Sequence, residues 1–180
     1  MILVINTSGD DLELVLDDHY TRVAVEKQSI ALPTETEKFI TQCGANWSNI
    51  SAVGVVVGPG SFTGIRLGIA YAKGLAMGLN IPVVSINAFE LYLAQTPDAF
   101  VAIDSGRGDF FVGAKNLAPC TMTIDEVEMK QMEWPRTVGH RPFDLKLGTK
   151  IVQDKLNDGD TGPVAPMYLR PSYVETNKKG

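Results

Sequence analysis

Apolar positions recur along the chain with two periods, and the switches between them mark out its elements. Residues 2–6 (ILVIN) form a β-branched run that ends at Thr7-Ser8-Gly9-Asp10, a strand followed by a turn. Leu12, Leu14 and Leu16 then alternate with Glu13, Val15 and Asp17, the period of a strand with one buried face. Asp17-Asp18-His19 predicts a turn, and residues 22–27 (RVAVEK) alternate again. Strands joined this closely run antiparallel, because parallel neighbours need a long crossover. Pro33 precedes Thr34 and Glu37, whose spacing matches a capping box. A helix is therefore predicted over 34–43, with Phe39, Ile40 and Cys43 on its apolar face and Gly44 as its stop.

Residues 52–57 (AVGVVV) are apolar on every side, as in a strand covered on both faces of its sheet. Gly58-Pro59-Gly60-Ser61 follows, then a long helix over 62–79, a strand over 81–86 and a helix over 88–94 with Asn87 as its cap. Gln95-Thr96-Pro97-Asp98 breaks the pattern and sets a domain boundary, with a first half over 1–97 and a smaller second half over 98–180. Residues 100–104, the turn Ser105-Gly106-Arg107-Gly108 and residues 109–114 echo the strand–turn–strand opening of the chain, which hints at an internal duplication. Residues 117–162 are poorly patterned, with one helix expected over 144–156. Residues 166–171 read as an ordered tail and 176–180 as a fraying end.

The helix over 62–79 is the most informative element. Gly64, Gly68, Ala72 and Ala76 recur every fourth residue and form a small-residue stripe. Ile65, Leu67, Ile69, Tyr71, Leu75 and Leu79 cover most of the remaining circumference, and Arg66 and Lys73 are its only charges. A helix apolar nearly all round is expected to be buried nearly all round. Its glycines at 64, 68, 74 and 78 would cost about 3–4 kcal/mol in an isolated helix, which close backbone contact offsets. One side can cover the sheet. For the other, a second subunit is the simplest occupant, the alternative being cover by the second domain of the same chain.

Composition narrows the class. With 44 % hydrophobic and 21 % charged residues, the 180-residue chain is globular and long enough to bury a core without staples. Its net charge of −5 speaks against affinity driven by a nucleic-acid backbone. Cys43 and Cys120 lie far apart in no CxxC pattern, so free thiols and a cytoplasmic location are expected. The first residues lack a basic n-region, and no stretch reads as a membrane span.

Candidate chemistry is sparse. The histidines are His19 and His140, both in predicted turns, and no HxxxH or HExxH spacing exists, so no metal site is expected. No GxSxG elbow is present, and no catalytic residue is assigned. The loop over 58–61 is either an anion site on a helix N-terminus or a tight turn with Ser61 as N-cap. It is not a P-loop, because no Gly-Lys-Ser/Thr follows and Arg66 lies too far into the helix. Gly58, Gly60 and Gly64 give a GxGxxxG-like spacing, but a meander precedes it instead of the first strand of a βαβ unit. Asp104, Arg107 and Asp109 cluster around a turn, where turn solvation is favoured over a cation or phosphate site.

GPGSFTGIRLGIAYAKGLA (58–76) followed by IPVVSINAFE (81–90) resembles the signature of the TsaB (YeaZ) family. The opening MILVINTS, AIDSGRGDFF (102–111) and PMYLRP (166–171) are similar to that family too. The resemblance implies an α/β, actin/Hsp70-like ATPase fold of the ribonuclease H-like kind, in two similar halves with mixed sheets flanked by helices. It also implies a non-catalytic subunit without cofactor. Its TsaD-type partner would hold the metal and move a threonylcarbamoyl group from an adenylate onto a tRNA adenosine. Further implied are a TsaE-type ATPase subunit, a homodimer when alone, contact with tRNA only through the complex, and no membrane partner. Carried onto this chain, the contact surface is Thr36, Phe39, Ile40 and Cys43 of the first helix with Gly64, Ile65, Gly68, Ile69, Ala72, Lys73 and Ala76 of the long one. Asn6 stands where the family usually has Asp, and Ala31-Leu32-Pro33-Thr34-Glu35 where members often carry His-Ser-Glu. The rival readings are a nucleotide-binding actin-like ATPase using Ser8, Asp104 and the Gly58–Gly60 loop, and a glycopeptidase-like hydrolase, which lacks a nucleophile with a base.

Overall fold

Ile2–Asn6 (β1), Leu12–Leu16 (β2) and His19–Val23 (β3) form an antiparallel meander in the computed structural model, which describes residues 1–139 and 142–169. Ala52–Val56 (β4) and Val83–Ile86 (β5) join in parallel, giving the order β3-β2-β1-β4-β5. Gln28–Gln42 (α1) and Phe62–Leu79 (α2) make the crossovers, and Ala88–Gln95 (α3) leaves the sheet. The second sheet holds Phe100–Asp104 (β6), Asp109–Ala114 (β7), Leu117–Thr123 (β8) and Thr137–Val138 (β9) in the order β8-β7-β6-β9. Ile124–Gln131 (α4) links β8 to β9, and Leu147–Asp158 (α5) follows. Each sheet is thus a meander, a helix and a parallel strand beside the first, so the echo in the sequence is a duplicated topology. The fold is α/β, with two similar mixed sheets flanked by helices.

Alternation sorts the first sheet's side chains onto two covered faces. Leu3, Ile5, Val53 and Val55 pack with α1 and α2, while Ile2, Val4, Ala52 and Val56 pack with Leu91 of α3 and Val152 of α5. The second cover is close. A Cβ at Gly54 would sit 2.6 Å from Val152 Cγ2, so the glycine in β4 is what lets α5 seat. The continuous apolar run is therefore a doubly covered strand, and its outer cover comes from late in the same chain. Lys155 of α5 pairs with Glu90 of α3 at 2.6 Å and donates to the Ser85 carbonyl at 2.8 Å, tying the late helix to the middle of the chain. Residues 163–169 then run back over the first sheet, with Met167 packed against clusters from both sheets.

Several expectations need correction. The third strand is His19–Val23, not 22–27, because Asp17 at φ 50° closes a two-residue turn and lets His19 pair with Leu16. The first helix begins at Gln28, not Thr34, and carries Pro33 inside it. Pro33 is exposed and costs one helical hydrogen bond, and the Thr34–Glu37 capping box does not form because the helix is already running. β8, α4 and β9 were not expected, and α5 runs Leu147–Asp158 where 144–156 was expected. His140, Arg170, Pro171 and residues 176–180 lie outside the described residues. No helix among the described residues is long and apolar enough to cross a membrane.

Candidate functional site

The carboxyl ends of β1 and β4 meet at the start of α2. β1 ends in Asn6, whose Nδ2 donates to Glu13 Oε2 at 2.6 Å and whose Oδ1 accepts from the Ser8 amide (3.0 Å) and hydroxyl (2.7 Å). The other Glu13 oxygen accepts from Tyr20 Oη at 2.6 Å. Partial burial and this carboxylate push the Tyr20 phenol up to about 12. The amide at position 6 is therefore held by side chains of its own hairpin. Gln28, at the start of α1, donates to the carbonyls of Gly9, Asp10 and Asp11 and ties the same turn to the first helix.

The glycine loop closes on that turn. The Ser61 amide donates to the Ser8 carbonyl at 2.7 Å, and a Cβ at Gly60 would lie 2.6 Å from the same oxygen. Ser61 Oγ accepts from the Gly64 amide at 3.3 Å, so Ser61 is the N-cap of α2. The Gly58–Pro59 peptide is cis, and the Gly58 carbonyl accepts from the Ala88 amide at 2.8 Å. Ser8 and Gly60 are thus brought together, but against each other. Asp104 Oδ1 accepts from the Gly106 amide at 2.7 Å, which places it in its own turn, with Ser105 bonded to Asp109 in the same turn. Among the described residues no three His, Cys, Asp or Glu side chains gather in metal-binding range. A shallow cleft of about 400 Å³ beside β9, lined by Tyr92, Gln95, Arg136 and Gly139 among others, gathers no set of reactive groups.

α2 has one closed face and one open face, and the small-residue stripe lies on the closed one. A Cβ at Gly64 would collide with the Thr7 carbonyl and one at Gly68 with the Thr7 hydroxyl, which donates to the Gly64 carbonyl at 2.7 Å. Gly64, Ile65, Gly68, Ile69, Ala72 and Ala76 are all buried within this chain, as are Thr36, Phe39 and Ile40 of α1. Cys43 is half-buried and Lys73 exposed. The seam expected to await a second subunit is therefore filled by the chain itself, because glycine lets α2 lie directly on β1 and its turn. Lys73 is the one member of the expected set that faces outward. Beside it the open face carries Phe62, Arg66, Ala70, Gly74 and Met77, the last 84 % exposed. Phe62 and Met77 were not singled out in the sequence, although Phe62, Arg66, Ala70, Lys73 and Met77 follow helical spacing along one side.

Comparison with known proteins bears on this arrangement. Residues 22–136, more than half of the chain, match the family TsaD: tRNA N6-adenosine threonylcarbamoyltransferase. The TsaB tRNA threonylcarbamoyladenosine biosynthesis protein of Bacillus subtilis (strain 168) is 28 % identical over 194 residues, covering 96 % of this chain and 84 % of the relative. Its counterpart from Escherichia coli (strain K12) is 32 % identical over 123 residues, covering 61 % of this chain and 52 % of the relative. A Pseudomonas aeruginosa crystal structure, described as similar to peptidase YeaZ, superposes with a TM-score of 0.75 at 15 % identity, over 94 % of this chain and 99 % of that one. The likeness in structure carries the fold, and the sequence matches carry the membership: the chain belongs to the TsaD family of tRNA N6-adenosine threonylcarbamoyltransferases, in which its full-length likeness is to TsaB.

Proposed function

We propose that this chain is a non-catalytic subunit in the synthesis of threonylcarbamoyladenosine on tRNA, which binds and supports a TsaD-type catalytic subunit through the open face of α2. The observation that carries the reading is that face: an 18-residue helix with Gly64, Gly68, Ala72 and Ala76 closed into the chain and Met77, Ala70 and Gly74 left to solvent. A chain that shares its fold with its partner can pair with it much as with a copy of itself, so the same face serves a homodimer when the chain is alone. Asn6 adds support, because a neutral amide held by Glu13 and Ser8 stands at the strand end where the family usually carries a carboxylate. The net charge of −5 fits contact with tRNA through the complex. The resemblance adds a TsaE-type ATPase as a further component, and the free Cys43 and Cys120 fit the reducing cytoplasm.

The test is Met77→Asp, an exposed change that leaves the core untouched. Sedimentation and titration against the TsaD-type subunit should show the wild type in dimer and complex, and the variant folded but about 100-fold weaker in both, as expected for a charge buried in an interface. A variant that binds like the wild type would remove α2 from the interface. Tight magnesium-ATP binding by the isolated chain would favour the nucleotide-binding enzyme instead.

A further inference from the structure

The open face of α2 ends in a cluster that the core does not use. The Met167 amide donates to the Val57 carbonyl at 2.8 Å, and this fixes the run of chain that sets Tyr168 beside the first turns of α2. There Arg66 Nε donates to Tyr168 Oη at 2.8 Å. The guanidinium carbon lies 3.7 Å from the centroid of the Phe62 ring and 5.7 Å from that of Tyr168. The two rings are 5.9 Å apart and tilted by 33°. Phe62 and Tyr168 are 57 % and 54 % exposed, so the cluster stands at the surface.

An arginine in this frame has already lost the rotamer freedom that binding would otherwise remove, and its planar fork is oriented before a ligand arrives. Among the described residues no carboxylate pairs with Arg66, and its terminal amino groups carry no hydrogen bond. Such a fork matches a carboxylate, which accepts two parallel N–H bonds. Arginine and aromatic residues are also the types that dominate the energetics of protein interfaces. α2 contains no Asp or Glu, so α2 packed on a copy of itself would set Arg66 and Lys73 against like charge. A partner bearing carboxylates is the complementary occupant. RNA is disfavoured by the apolar neighbours Ala70 and Met77 and by the net charge of −5.

We propose that Arg66, framed by Phe62 and Tyr168, is the anchor through which the open face of α2 takes a carboxylate side chain of the TsaD-type partner. This rests on the subunit reading above and adds two things: a polar anchor that distinguishes the partner from a second copy, and a part for the tail in recognition.

The test measures, for the full chain, affinity for the TsaD-type subunit by titration and self-association by sedimentation. Arg66→Gln should weaken the partner complex about 30-fold, the range of an interface hot spot, and leave self-association no weaker or somewhat tighter, because it removes one of the like charges that would meet there. Arg66→Lys keeps the charge but loses the fork and should be about tenfold weaker. Tyr168→Phe should weaken the complex about threefold alone and add little to Arg66→Gln, because it acts by holding the guanidinium. Thermal melts of these surface variants check the fold. Unchanged partner affinity in Arg66→Gln, with Met77→Asp still disruptive, overturns the anchor and leaves the subunit reading standing. Loss of self-association to the same degree makes a second copy the occupant, and lowered tRNA affinity at unchanged subunit affinity makes it a phosphate. Either outcome overturns the proposal. A wild type that does not bind the TsaD-type subunit overturns both readings.

Discussion

Glycine on α2 carries opposite meanings a few residues apart. At Gly64 the missing Cβ is what allows contact with the Thr7 carbonyl, whereas at Gly74 nothing lies within 4 Å of the place a Cβ would take. Gly64→Ala should therefore destabilise the chain by about 2–3 kcal/mol through overpacking against backbone that cannot yield. Gly74→Ala should stabilise the isolated chain by up to about 1 kcal/mol, since alanine is the better helix former where space is open. Urea unfolding of the two variants should move the midpoint in opposite directions, and two shifts of the same sign would contradict the packing described. The sequence shows both glycines on the same helix but not which way each faces. The four-residue repeat through Gly64, Gly68, Ala72 and Ala76 marks a close-packing stripe. Only the structure shows that Gly64 and Gly68 of that stripe meet Thr7.

At the scale of elements, legibility followed local chemistry. α2 spans Phe62–Leu79 as predicted, because Ser61 caps its start and Asn80, at φ 54°, turns the chain out at its end. α3 was equally plain. The Asn87 side chain accepts from the Glu90 amide at 2.9 Å, and Glu90 accepts from the Asn87 amide at 2.7 Å. Asn87→Ala should lower stability by about 1 kcal/mol and Asn87→Ser by much less, as measured by chemical denaturation. Equal losses would mean that the cap is not what Asn87 contributes. α1 starts earlier than its sequence signals, because proline before Thr34 imitates a helix start while the true start at Gln28 has no side-chain cap to announce it. α4 does have a capping box, between Thr123 and Glu126, but only Val127 of the helix is buried, so no apolar face signals it. β8 contains Pro119, which an edge strand tolerates, and β9 is two residues long, too short for any period to register.

The molecule as a whole is held by parts that come late in the sequence. α5 covers the first sheet, and its Lys155 reaches Glu90 of α3, which lies between the two sheets in sequence. Lys155→Met keeps the apolar stem and removes the charge, leaving a half-buried Glu90 without its cation. A loss of about 2 kcal/mol is expected, with faster hydrogen exchange in α5 than in β1. A change confined to a few tenths of a kcal/mol would show this pair to be a surface ornament of the fold. None of this is visible in the pattern, because a contact between Lys155 and Glu90, far apart in the chain, leaves no local periodicity. Order of synthesis then matters. Residues 163–169 emerge from the ribosome after both sheets, so a nascent chain can present α2 while Tyr168 is still in the exit tunnel. Until that strap docks, Arg66 lacks the hydroxyl that steadies it, so under our proposal a partner would be held about threefold less tightly in the interim.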